Sequence, residues 1–283
     1  MTASVPLQPV DYLVFGHLSV DLTPTGPLLG GTVSYASLAA HALGLRVGIV
    51  TSAGDEAPLE ALKDIPLVRI ASSRSTTFEN IATPHGRKQI LHHQAEPLNL
   101  EHIPEAWRSA PIFHLAPLAQ EFPHHLTADI SATLIGLTPQ GWMRGWDAGG
   151  NVHPVPFANA EEILPRIGAM VISLEDVGGD DAQVEFFAHH TRLLAVTDAA
   201  AGSILYWNGD RRRFPAPQVR EVDPTGAGDI YAAAFFARLY LTRDPWEAAR
   251  FATHFAAYSV TRPGLEGIPT QKEIQACLLE VLY

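Results

Sequence analysis

Short apolar runs rich in β-branched residues alternate along this chain with longer alanine-rich stretches whose apolar positions recur at helical spacing. The short runs predict strands over Tyr12–Gly16, Val47–Ser52, Pro111–Ala116, Thr133–Leu137, Ala169–Ser173 and Leu193–Thr197. The longer stretches predict helices over Val33–Leu43, Gly226–Leu241, Trp246–Val260 and Lys272–Val281. Such alternation is the mark of βαβ units and predicts a layered α/β fold, a mainly parallel sheet with helices on both faces. One stretch breaks the rhythm. Ser75–Asn80 and Arg87–His92 both read as strands, joined by the turn signal Thr83-Pro84-His85-Gly86 with no helix between them. A lone hairpin is marginal in water, so Asp21–Leu29, a substrate or a partner subunit is needed to cover it. It reads equally as a lid or as a decorative hairpin. The longest irregular segment, Thr138–Pro156, follows a strand end, where α/β folds place ligand-binding loops.

Composition narrows the classes. Lys plus Arg is 19 against 30 for Asp plus Glu, a net charge of −11 with histidine neutral. That field argues against a nucleic-acid or anionic-membrane binder, because phosphates are neutralised by clustered cations. At 47% hydrophobic and 17% charged residues over 283 positions, the chain has material for one large α/β core. Cys277 is the only cysteine, which rules out an internal disulfide and any CxxC site. With no signal-peptide pattern and no apolar run near the ~20 residues that span a bilayer, a cytoplasmic protein is expected. The 13 histidines include three adjacent pairs but no HxxxH or HExxH spacing, so they predict no zinc site.

The strongest chemical signal is Asp223-Pro224-Thr225-Gly226-Ala227-Gly228-Asp229, running directly into the apolar helix Ile230–Leu241. Small residues at a helix start let free backbone N–H groups approach an anion, and the helix dipole adds positive potential there. Asp229 falls in the first turn, placed to take a proton from a hydroxyl that attacks phosphorus. A lone GxG would more often be a simple turn; the full string is far more specific. No Walker GxxxxGK[ST], complete dinucleotide fingerprint or GxSxG elbow occurs, so hydride transfer and serine hydrolysis have no supporting motif. A second group, Gly16-His17-Leu18-Ser19-Val20-Asp21 followed by Gly30-Gly31, puts a carboxylate just past a strand end, where it can accept bonds from two hydroxyls of a polyol.

In order, the segments GHLSVD, GGTVSYASLAAHALG, AVTDAAAG, DPTGAGD and FATHFAAYSVTRPG resemble the ribokinase-like, or PfkB-type, sugar and nucleoside kinases over nearly the whole chain. The resemblance implies a three-layer α/β/α domain over residues 1–283 with a small β lid from about 19–30 and 75–95. It implies that Asp229 is the catalytic base and that Gly226, Ala227 and Gly228 form the anion hole. Asp21, Gly31, Ser19 and Tyr35 fall at substrate positions. Thr197, Gly202, Thr225 and Thr253 fall at nucleotide positions, with Ala199 in place of a loop glycine. Asp176, in Ser173-Leu174-Glu175-Asp176, stands where the family's NxxE segment organises Mg²⁺. Asp223, Ser259 and Gly264 fall in the loops that bind a monovalent cation such as K⁺ in many members. Thr138–Arg144 resembles the loop of a branch that includes plant inositol kinases, making Gln140 and Arg144 candidate substrate contacts.

The expectation is an ATP-dependent kinase of a small sugar, polyol or inositol-like alcohol, with Mg²⁺ and a small-molecule substrate, and with a homodimer through the lid as the family's common assembly. Two alternatives stand beside it: a nucleoside kinase with Tyr35 stacking on a base, and a catalytically weak sensor of nucleotide or sugar, prompted by the altered nucleotide and Mg²⁺ segments.

Overall fold

The structure, a computed structural model, describes residues 7–83 and 86–279. The chain enters through β1 (Tyr12–Phe15), leaves for β2 (Ser19–Thr23) and β3 (Gly26–Gly30), and returns by α1 (Thr32–Ala42) to β4 (Val47–Ala53) and β5 (Leu67–Ala71). It leaves again for β6 (Thr76–Thr83) and β7 (Gly86–His93), then adds β8 (Ile112–Leu115) and β9 (Leu134–Leu137). A ribbon of β10 (Arg144–Trp146) and β11 (Val152–Pro154) precedes α2 (Ala160–Ile163), β12 (Ala169–Ser173), α3 (Asp181–His190) and β13 (Leu193–Thr197). The pair β14 (Ser203–Trp207) and β15 (Asp210–Phe214) follows, then α4 (Ala227–Thr242), α5 (Pro245–Ser259) and α6 (Gln271–Leu278).

The main sheet runs β15-β14-β13-β12-β9-β8-β1-β4-β5. Every pair from β13 to β5 is parallel, and β14 and β15 are antiparallel. Within β1, Tyr12 and Val14 enter the core packed by α1, α4, α5 and α6, while Leu13 and Phe15 enter the core on the opposite face. That is the strand period of two, and it explains why these strands read as continuous apolar runs. From β1 the chain builds outward first through β4 and β5, then the other way through β8, β9, β12 and β13. The strand order therefore reverses beside β1, and the carboxyl ends of the strands there open a crevice.

Above that crevice lies a four-stranded sheet, β3-β2-β6-β7. The segment expected to cover the hairpin supplies β2 and β3, with β2 parallel to β6 in the register Ser19↔Thr76 to Leu22↔Glu79. Its small core of Phe78, Leu91, Leu118 and Ala119 is joined by Trp146 and Val152. The turn residues Pro84 and His85 lie outside the described residues, as do positions 280 and 281 of the expected last helix.

Helix ends separate structural from available termini. Asp180, Asp244 and Thr270 accept backbone N–H bonds at the starts of α3, α5 and α6. No side chain caps α1 or α4, whose first residues follow Gly31 and Gly226, both at positive φ. Both helix starts line the crevice, although the Ala227 N–H of α4 is taken by the Pro224 carbonyl at 3.2 Å. Among the described residues, no helix is long and apolar enough to cross a membrane.

Candidate active site

A cavity of about 900 Å³ follows the carboxyl ends of the strands beneath the small sheet. It brings together Ser19, Asp21, Gly31 and Tyr35, the loop residues Gln140 and Arg144, Asp176 after β12, Thr197 and Gly202 after β13, Thr225 to Asp229 at the start of α4, and Thr253 on α5. Asp223, Ser259 and Gly264 do not line it. Asp223 instead ties two loops together, accepting from the Thr225 N–H at 2.9 Å and the Gly264 N–H at 2.8 Å. Burial opposes ionisation of this carboxyl, but these bonds hold it below the usual range. The Ser259 hydroxyl donates to the Ala256 carbonyl.

At α4 the geometry needs glycine for two different reasons. Gly226 has φ 78°, and a Cβ there would sit 2.3 Å from Tyr35 Cδ1, so the phosphate-type turn rests directly on the tyrosine ring. A Cβ on Gly228 would meet nothing within 4 Å. The space beside Gly228 is thus open to a ligand, next to the side-chain-uncapped start of α4.

Asp229 lies in the first turn of α4 and lines this site. Loss of surrounding water pushes its carboxyl up to about 6; the Thr32 hydroxyl that donates to it and the charge of Arg144 oppose the rise, while Asp176 and Asp21 add to it. A carboxylate so poised is unprotonated at neutral pH yet basic enough to take a proton in a reaction. Asp21 is held by the Ser19 hydroxyl, which donates at 2.9 Å, and a Cβ on Gly30 would lie 2.3 Å from Asp21 Oδ2. Gly30 therefore makes the room this carboxylate occupies.

Asp176 is fixed from two sides, by the Ser173 N–H at 2.8 Å and the Gln140 side-chain amide at 2.9 Å. Gln140, expected at the substrate, thus spends one amide hydrogen on Asp176. Among the described residues, no three His, Cys, Asp or Glu side chains converge as a metal cage. A single oriented carboxylate fits Mg²⁺, which is usually carried on substrate phosphates and water with only one or two protein carboxylates.

The donor end is lined by small groups. Ala199 adopts φ 41° where the family pattern has glycine, and a Cβ on Gly202 would come 2.0 Å from the Phe214 carbonyl oxygen. Thr253 donates to the Ala249 carbonyl at 2.8 Å and so accepts from Ser203, which in turn accepts from Tyr231. Its hydroxyl is committed to this buried chain. Sequence reasoning passed over Thr32, Asn80, Gln89 and Thr138, all of which line the cavity. Thr32 could have been found from its place directly after the Gly30-Gly31 pair; Asn80 and Gln89 only pair once the register of β6 and β7 is known.

Residues 170–271 match the profile of the pfkB family carbohydrate kinases. The cytidine kinase of Thermococcus kodakarensis is 27% identical over 256 residues, covering 81% of this chain and 88% of that protein. The inositol 3-kinase of Oryza sativa subsp. japonica is 27% identical over 290 residues, covering 92% and 70%. Residues 170–271 thus form a pfkB-type carbohydrate-kinase segment, and the chain around them is similar to kinases of that kind over most of its length. Its ribokinase-type fold is shared with a pyrophosphate-dependent kinase of the ribokinase family complexed with a pyrophosphate analog and myo-inositol, at a TM-score of 0.80 and 20% identity over 94% of this chain and 99% of that one. The matched segment and these relatives make the chain an ATP-dependent phosphotransferase with an alcohol group as acceptor.

Proposed function

We propose that this pfkB-type kinase phosphorylates a ring hydroxyl of an inositol-like polyol. The observation that carries the proposal is one cavity that holds Asp229, a carboxylate raised to about 6, the side-chain-uncapped start of α4, and a carboxylate–hydroxyl pair, Asp21 and Ser19, suited to bind neighbouring hydroxyls. Similarity to the rice inositol 3-kinase and to a fold neighbour complexed with myo-inositol supports this acceptor class. Asp21 orients the acceptor. Asp229 takes the proton of the attacking hydroxyl as its oxygen bonds to the terminal phosphorus of ATP and the bond to the bridging oxygen breaks. The amide of Gly228 stabilises charge on the transferred group, while that of Ala227 donates to the Pro224 carbonyl at 3.2 Å and holds the turn. Mg²⁺, when bound, neutralises phosphate charge, and Asp176 with Gln140 behind it is the group that orients its shell.

Asp223 already closes the two loops by hydrogen bonds, so K⁺ adds order to a formed structure instead of creating it. Turnover is expected to persist, at a reduced rate, when K⁺ is replaced by tetramethylammonium. A cytoplasmic setting supplies the nucleotide.

The test is an ATP-consumption assay over inositols, sugars, sugar acids and nucleosides, with Asp229→Asn as the blank and pyrophosphate included as a second donor. Inositol turnover that falls about 10³-fold in Asp229→Asn, a loss within the range of a general base, supports the proposal. Near-normal turnover in that variant would sink the assignment of Asp229. The cytidine kinase relative favours a nucleoside acceptor as the second reading, and preference for cytidine over every polyol would establish it.

A further inference from the structure

A buried hydrogen-bonded line runs from the middle of the main sheet to the floor of the cavity. Tyr12 on β1 places its hydroxyl 2.9 Å from His114 Nδ1 on β8, and His114 Nε2 lies 3.0 Å from the Thr138 hydroxyl just past β9. Tyr12 and His114 are fully buried, with Phe236 edge-on to the imidazole at 5.0 Å; Thr138 is 7% exposed and lines the cavity.

The direction of every bond in this line follows from counting hydrogens. Burial pushes His114 down to about 3, so the imidazole is neutral and carries one N–H. Among the described residues, Tyr12 has no hydrogen-bond partner for its hydroxyl other than Nδ1. Were Nδ1 the protonated nitrogen, the phenolic hydrogen would be buried without an acceptor, which costs more than the bond is worth. Tyr12 therefore donates to Nδ1, His114 donates through Nε2, and Thr138 accepts. The hydroxyl hydrogen of Thr138 is then left to point elsewhere, and the cavity is the side on which that residue meets open space.

Strand order says what lies there. Across the crevice, the nucleotide turn follows β13, Asp176 follows β12, Thr138 follows β9, and Ser19 with Asp21 follows β1 beyond β8. Thr138 sits on the acceptor side of Asp176, at the head of the loop that carries Gln140 and Arg144. We propose that Thr138 binds an oxygen of the phosphoryl acceptor as a hydrogen-bond donor, and that His114 and Tyr12 are positioning residues that fix the direction of its hydroxyl. This rests on the phosphotransfer reading above, and nothing in that reading requires it.

Two measurements test it. In protein labelled with ¹⁵N-histidine, the His114 signals should show a protonated Nε2 and an unprotonated Nδ1; the opposite tautomer reverses the line and overturns the proposal. In kinetics with whichever alcohol the panel shows to be turned over, Thr138→Val should raise the acceptor KM about tenfold with the ATP KM unchanged, and Thr138→Ser should restore it. An unchanged acceptor KM in Thr138→Val, or an equal rise in both KM values, overturns it. If Thr138→Val does not fold, the tautomer measurement still decides. Absence of any alcohol turnover by the unaltered protein would count against the function, a result distinct from normal turnover insensitive to Thr138.

Discussion

The chemistry of single residues here is set by what removes water from them. Asp229 is raised to about 6 by desolvation, and the opposing charge of Arg144 keeps it from rising further. With Asp229 as the proposed base, which must be unprotonated, kcat/KM should fall as pH drops through about 6, since this profile reports the free enzyme. Arg144→Met removes a positive charge that favours the carboxylate, so the acidic limb should move to higher pH; a limb that stays in place, or moves down, would show that Arg144 does not act on Asp229. Gly226 makes a different kind of claim. Its φ of 78° and the Tyr35 ring below it both exclude a side chain, so Gly226→Ala should cost about 1–2 kcal/mol from backbone conformation alone. The variant should melt several degrees lower and lose at least tenfold in kcat, because the turn that presents the α4 amides can no longer rest on Tyr35. Equal kcat in a folded variant would remove the turn from the mechanism.

Between elements, one buried carboxylate organises the crossing from the main sheet to the small one. Glu121, 1% exposed, accepts from the backbone N–H of His17 at 2.8 Å, of Leu118 at 2.9 and 3.0 Å, and of Ala119 at 2.8 Å. It thereby fixes the end of β1, just before Ser19 and Asp21, against the loop after β8. His17 extends the same junction, its Nε2 donating to the Glu96 carbonyl while its Nδ1 meets the Thr76 hydroxyl on β6. Glu121→Gln has the same shape but turns an N–H₂ group toward those donors. It should lose about 2–3 kcal/mol of stability, read from denaturant unfolding, and raise the acceptor KM more than the ATP KM. Nothing in the sequence announced Glu121, which reads as a solvated loop acid. The same limit explains the other omissions. β15, Asp-Arg-Arg-Arg-Phe, has no apolar alternation because it is an edge strand whose charges face solvent, and β10 and β11 are only three residues each. By contrast, β1, β4, β8, β9, β12 and β13 were legible because both their faces are buried, and the α4 phosphate-type turn because its glycines and acid are contiguous. Site residues were legible where function crowds them into one local string; Thr138, the pairing of Asn80 with Gln89 and Gln140's bond to Asp176 depend on contacts that only the fold creates.

At the scale of the whole molecule, stability is distributed unevenly over three apolar clusters. The two clusters flanking the main sheet each draw on many fully buried side chains, whereas the small sheet rests on Phe78, Leu91, Leu118 and Ala119 with Trp146 and Val152 alongside. Its outer residues Leu22, Leu28 and Ile81 are exposed. Free energy of local opening scales with such burial, so the small sheet should open without unfolding the main one. Amide hydrogen exchange of the free protein should therefore be faster in β2, β3, β6 and β7 than in β8, β12 and β13, even though all are hydrogen-bonded strands. Acceptor binding adds contacts between Asp21, Asn80 or Gln89 above and the loop after β9 below, because these residues line one cavity. Adding a turned-over alcohol together with a non-hydrolysable ATP analogue should then slow exchange in β2 and β6 several-fold while leaving β12 and β13 nearly unchanged. Uniform slowing across both sheets would mean that ligand stabilises the molecule only globally, and would exclude closure of the small sheet as a separate step. Selective slowing would make that sheet the part of the kinase that separates the bound alcohol from water during phosphoryl transfer.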